Sequence, residues 1–189
     1  MTSPDVSSDS DALPSRLLEI PADELTAEQQ AGVDALLAGR GRLLAPYKIW
    51  LHSPQLMMAM EQLGTFLNKR SSLSEREVEL GICLAAHQWA GEYVFESHAA
   101  RCLNLGLTQA AIDAIRLNRV PELPTERERA IYDVARMAAQ PGPGEDETFD
   151  GAVGALGRDG LAETICLLGY YSAVAIGMKL HRVPVRKKS

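Results

Sequence analysis

Helix-start signals recur through this chain and leave little room for any fold that is not helical. Thr26 with Gln29, Ser74 with Glu77 and Thr125 with Glu128 each set a hydroxyl three residues ahead of a long polar side chain. At that spacing the hydroxyl accepts from an early amide while the longer side chain reaches back, so each pair reads as a capping box. Ser53 before Pro54 is a further start, because proline at the first helical position gives up no needed hydrogen bond. The helix opened by Pro54 carries Leu56, Met60, Leu63 and Leu67 at spacings of three and four. Met57 and Met58 beside that stripe read as core or subunit contact. The helix after Ser74 carries Val78, Ile82, Cys83 and Ala86. A second begins near Gly91 or Glu92 and runs to about Leu105, where Gly106 suits a left-handed C′ position. Thr108 caps the next helix, with Ile112 and Ile115 inside. Glu126 to about Ala139 follows, stopped by Pro141-Gly142-Pro143-Gly144. Two helices close the chain, around Asp146 to Leu156 and Leu161 to about Leu180. No stretch alternates with period two, so the expected class is all-α, with about seven to eight helices.

Composition narrows what such a bundle does. The 189 residues carry a formal charge of −6, which is not the electrostatic footprint of a nucleic-acid binder. No apolar run approaches the roughly 20 residues of a membrane span, and the first residues lack the basic and apolar regions of a signal peptide. A cytoplasmic protein with neither a nucleic-acid nor a membrane partner is expected. Cys83, Cys102 and Cys166 form no close pair along the chain, which argues against a disulfide framework and a four-cysteine zinc site. Residues 1–20, rich in Ser, Asp and Pro, read as a mobile tail, 21–181 as the helical domain, and 182–189 as a basic tail.

Two polar residues stand among apolar helical neighbours. Glu79 shares a face with Cys83 and Ala86, and His98 shares one with Val94, Cys102 and Leu105. They read either as satisfied core polars or as an acid–base pair in a dry pocket. In the second case burial raises the carboxyl and lowers the imidazole toward neutrality, where proton transfer is efficient. Tyr93 is placed to aim a hydroxyl at such a pocket, and Cys102, one turn after His98, is a candidate contact or reactive thiol. Cys83 and Cys166 read as core. Glu96 lies about 200° around the helix from His98 and is expected on another face, paired with Arg101 or a neighbouring subunit. No HxxxH or Glu-x-x-His pair is present, so neither a metal nor any other cofactor is expected.

The stretch from Leu73 to Leu107 resembles the carboxymuconolactone decarboxylase and AhpD-type alkylhydroperoxidase superfamily. The resemblance rests on Leu73-Ser74, on Arg76 through Glu79, on Glu92-Tyr93-Val94-Phe95-Glu96-Ser97-His98, and on the Gly106-Leu107-Thr108 turn. The LHSPQLMMAMEQLG segment is similar to the family's preceding helix, and a weaker likeness covers about residues 44–180. The resemblance implies an AhpD-like helical domain and a homo-oligomer, dimer-based, trimeric or hexameric. It puts Glu79 and His98 at the family's proton-relay positions. The family's two relay cysteines fall on Gly91 and Val94, its second signature glutamate on Val94 and its tryptophan on Phe95. A two-cysteine peroxidase mechanism therefore has no thiols here. The function expected is proton transfer by Glu79 and His98 on a small organic acid, lactone or related carbonyl compound: decarboxylation, isomerisation or cyclisation. The alternatives are single-cysteine antioxidant chemistry at Cys102 and a non-catalytic binding or assembly role.

Overall fold

The computed structural model describes residues 13–185. Among them there are eight α-helices and no strand, together with a 3₁₀ turn at Ala22–Glu24. The helices are α1 (Ala27–Arg40), α2 (Ala45–Trp50), α3 (Pro54–Lys69), α4 (Glu75–Gln88), α5 (Glu92–Asn104), α6 (Gln109–Arg116), α7 (Glu126–Ala138) and α8 (Asp146–Leu180). All three capping boxes form, at the starts of α1, α4 and α7, and Thr108 caps α6. Gly106 adopts the left-handed conformation at φ 90° that closes α5. The short α2 carries no start signal beyond Pro46 and was not foreseen.

α4 is the centre of the domain. It is buried from Glu77 to Cys83 and packs on α5, α7 and α8. The main core joins Leu80, Ile82 and Phe95 to Ile112, Ile131, Leu167 and Met178. A smaller core of Leu36, Tyr47, Leu51 and Met57 ties α1 and α2 to α3. Of the expected stripe of α3, Leu67 is buried, Met60 and Leu63 pack partly buried against the main core, and only Leu56 faces out. Met57 and Gly64 are buried beside them, Met57 in the smaller core.

The expected pair of helices at the C-terminal end is continuous in hydrogen bonding but broken at Gly157. Its backbone there has φ 74° and ψ 169°, a region essentially closed to residues with a Cβ. Nothing crowds that position, so strain alone sets the cost of a side chain. Gly157→Ala is expected to lose about 1–3 kcal/mol. Urea unfolding measures this, and an unchanged midpoint would refute it. By length and composition α8 could cross a membrane, which corrects the reading that no run approaches that length. Half of its most apolar stretch is buried in the domain, as in a core helix. Its outer face carries Ile165 and Cys166, so Cys166 is exposed and not core.

Two tetrapeptides hold the starts of α4 and α7 together. Ser74-Glu75-Arg76-Glu77 and Thr125-Glu126-Arg127-Glu128 differ only in the capping hydroxyl residue. Glu77 accepts from the Ser74 amide at 2.8 Å and from Arg127 Nε of the other motif at 2.7 Å. Glu128 accepts from the Thr125 amide at 3.3 Å and pairs with Arg76 Nε at 2.5 Å. Each glutamate thus caps its own helix and holds the other helix's arginine.

Residues 1–12 of the expected N-terminal tail and 186–189 of the basic tail lie outside the described residues. Residues 13–20 form neither helix nor strand and are anchored at Ser15, Arg16 and Glu19. The Arg16 amide and Ser15 Oγ donate to the His181 carbonyl at 2.8 and 3.2 Å, and Glu19 pairs with Lys48 at 2.5 Å.

Candidate functional site

α4 and α5 are joined by a tight turn that lays their faces together, and this is what brings Glu79 to His98. His98 Nδ1 lies 2.5 Å from Glu79 Oε2, and Arg101 Nη1, one turn along α5, donates to Glu79 Oε1 at 3.2 Å. The Glu79 side chain is 5% exposed and that of His98 14%. Burial pushes the Glu79 carboxyl up, but the hydrogen bond and charge of His98 and the charge of Arg101 outweigh it. The carboxyl is held below its ordinary value. This corrects the expectation that Glu79 moves toward neutrality: its partners win over desolvation. An ionised carboxylate only accepts, so Nδ1 carries the proton and donates. The lone pair of the imidazole is then on Nε2, which no other described side chain engages.

His98 lines a cleft of about 990 Å³ between the end of α1 and α2, α3, α5 and α8. Behind its ring stands Tyr171, edge-on with centroids 5.5 Å apart, whose hydroxyl donates to Asn68 Oδ1 at 3.1 Å. Tyr170 packs against Tyr171 at 5.0 Å, and its hydroxyl lies 3.4 Å from that of Tyr47. Tyr47, Tyr93, Tyr170 and Tyr171 all line the cleft, with Val94 and Val174. The charged lining is Arg40, Arg42, Lys48, Lys69 and Arg101 against the single carboxylate of Glu96. Glu96 is bound to Arg116 at 2.5 Å, not to Arg101 as expected, because Arg101 is turned toward Glu79.

The structure thus brings Glu79, His98 and Tyr93 to one site and separates Cys102 from it. Cys102 is wholly buried, against Cys83, and is not among the cleft residues. Their sulfurs are 3.6 Å apart, so two cysteines distant in sequence are neighbours. Helix packing, invisible in linear spacing, makes that pair. Arg101, Asn68, Tyr171 and the basic rim were missed. Two tyrosines side by side in an otherwise apolar helix were the available signal for Tyr170 and Tyr171. Met57 sits in the smaller core and not in the cleft. Among the described residues no group of three or more His, Cys, Asp or Glu side chains could hold a metal.

Glu61 and Glu77 share the behaviour of Glu79. Burial pushes each carboxyl up, and stronger hydrogen bonds, chiefly from Tyr47 and Arg40 to Glu61 and from Arg127 to Glu77, hold it down. Carboxyls depressed on folding contribute stability that is full above their ordinary value near 4.5 and is lost as pH falls through the folded values. Stability is therefore expected to hold down to about pH 5 and to fall steeply below 4.5. Thermal melts across pH 3–7 measure this, and a flat profile to pH 3 would contradict it.

Residues 54–137, the span from α3 through α7, match the profile of the carboxymuconolactone decarboxylase family. Over that span, somewhat less than half of the chain, the sequence is similar to that family. Solved structures share the fold at low identity. An uncharacterised peroxidase-related protein from Silicibacter sp. TM1040 aligns with TM-score 0.72 and 16% identity, over 94% of this chain and 95% of its own. The debrominase Bmp8 aligns with TM-score 0.69 and 10% identity, over 90% and 91%. A protein of unknown function from Agrobacterium tumefaciens, considered a candidate antioxidant defence protein AhpD, aligns with TM-score 0.65 and 16% identity, over 74% and 96%. No curated protein matches the chain significantly.

One of the two positions where the resemblance puts a relay cysteine has no room for a side chain. A Cβ at Gly91 would stand 2.7 Å from Ala175 Cβ and 3.1 Å from Ala175 Cα on α8. Only glycine permits that approach. Gly91→Cys is expected to cost about 1–3 kcal/mol through overpacking. Chemical denaturation checks it, and wild-type stability in the variant would show that α8 yields.

Proposed function

We propose that the cleft is the active site of an acid–base enzyme acting on a small organic acid, lactone or related carbonyl compound. The observation that carries this is the direct 2.5 Å contact between a buried Glu79 carboxylate and His98 at the wall of an open cleft. Glu79 fixes the imidazole tautomer, so His98 Nε2 is the base. It takes a proton from carbon next to a carbonyl, and Glu79 stabilises the imidazolium that forms. In isomerisation or cyclisation the imidazolium then returns the proton after bond migration; in decarboxylation no proton is first removed from carbon, the loss of carbon dioxide itself leaves the enolate, and His98 as imidazolium gives it the proton. The cationic lining neutralises a substrate carboxylate and the negative charge that builds on an enolate oxygen. The tyrosines supply a flat apolar wall and hydroxyl donors. Decarboxylation, isomerisation and cyclisation all use such an enolate.

Single-cysteine peroxide chemistry at Cys102 finds no support, because that thiol has no face on the cleft. The test is a screen of carboxylated lactones, keto acids and β-carbonyl acids, followed by proton release and substrate loss, with wild type beside His98→Gln. Turnover that needs His98 supports the reading. Ligand binding without turnover in wild type, unchanged in His98→Gln, would favour a non-catalytic role.

A further inference from the structure

The Glu79–His98 contact has a neighbour of a different chemical kind. Cys83 lies one turn after Glu79 on α4, and Cys102 lies one turn after His98 on α5. The same separation of 19 residues joins Glu79 to His98 and Cys83 to Cys102. The two pairs are successive rungs between the same two helices. Both thiols are wholly buried, with their sulfurs 3.6 Å apart.

We propose that Cys83 and Cys102 are a redox couple that closes to a disulfide cross-linking α4 to α5, one turn from the Glu79–His98 pair. A disulfide has sulfurs about 2.05 Å apart, so closure asks for an approach of about 1.5 Å, within reach of small side-chain and helix shifts. The oxidant is a small hydroperoxide. One thiolate attacks its outer oxygen, the O–O bond breaks, and water or an alcohol leaves with the proton while a sulfenic acid forms. The second sulfur attacks the sulfenic sulfur, hydroxide leaves and takes up the second proton as water, and the S–S bond forms. Two thiols and one hydroperoxide thus give one disulfide, one alcohol or water, and one water. An external dithiol restores the pair.

Burial makes this a slow couple and not a peroxidase turnover site. The contact with Cys102 and the loss of water push the Cys83 thiol up, which slows thiolate formation in the pair. Because the rungs share both helices, closing one moves the other. Resting on the acid–base reading above, the oxidised form is a slower enzyme, its His98 drawn out of register with the cleft.

The test needs no substrate. Wild-type protein is treated with hydrogen peroxide, unfolded in an alkylating agent and mapped as peptides without reduction. The expected result is one cross-linked species joining the Cys83 and Cys102 peptides, lost on dithiothreitol treatment, with Cys166 alkylated. Cys166→Ser keeps the cross-link, and Cys83→Ala and Cys102→Ala abolish it. The melting temperature of the oxidised protein rises by about 5–10 °C, as for a linked loop of this length. Alkylation of both Cys83 and Cys102 after peroxide treatment, or their separate conversion to sulfinic acids, would overturn the proposal. A cross-link without any acid or lactone turnover would leave it standing and fail only the acid–base reading.

Discussion

His98→Gln is expected to fold as wild type and to lower turnover of the acid or lactone substrate by about 10²–10⁴-fold, the usual contribution of a positioned general base. Glutamine keeps a hydrogen-bond donor for Glu79 and fills similar space, so the buried carboxylate keeps a partner. What it removes is the one nitrogen able to take a proton. Glu79→Gln tests the other half. An amide offers Nδ1 a donor as readily as an acceptor, so the tautomer is no longer fixed and the imidazolium loses its counter-charge. Turnover then falls as well. Rates within a few-fold of wild type in both variants would end the proton-transfer reading. A drop in His98→Gln confined to KM would assign His98 to binding alone.

The second large effect is on stability, at the joined starts of α4 and α7. Arg127→Ala is expected to lose about 2–3 kcal/mol, because Glu77 then stays buried with only the Ser74 amide to meet its charge. Glu77→Ala costs about as much by another route: the reach-back to Ser74 is lost along with the ion pair. Arg127 itself is more than one-third exposed and rehydrates, which tempers that loss. In thermal melts each change lowers the midpoint by about 5–10 °C. The double variant Glu77→Ala/Arg127→Ala is expected to lose less than the sum of the two, since the partners share one interaction. Full additivity would show that the two side chains act independently.

Much of this was readable from residues. The capping boxes place helix starts because the hydroxyl and the reach-back side chain are local, and all three formed as spaced. Glu79 and His98 stood out because ionisable groups on apolar helical faces need partners, and each proved to be the other's. What failed depended on packing between helices. The Glu79 carboxyl moved down and not up, because Arg101 and His98 converge on it from one turn apart. Cys83 and Cys102 meet only after α4 and α5 fold together. Glu96 found Arg116 on α6, a partner no spacing within α5 reveals. The cleft itself is assembled from five helices, and its basic lining comes from residues spread between Arg40 on α1 and Arg101 on α5.

That rim sits on a molecule of net charge −6. To an anion diffusing nearby, the net charge of the molecule is repulsive, while Arg42 and Lys69 in the cleft lining are attractive. Encounter is therefore biased before any contact forms, and the bias weakens as added salt shortens the Debye length from about 30 Å at 0.01 M to about 8 Å at 0.15 M. Neutral compounds of the same shape feel no such guidance. On the acid–base reading proposed above, the charge layout works as a sieve in time: it sorts small molecules by how fast they arrive, ahead of the tyrosine wall that sorts them by shape.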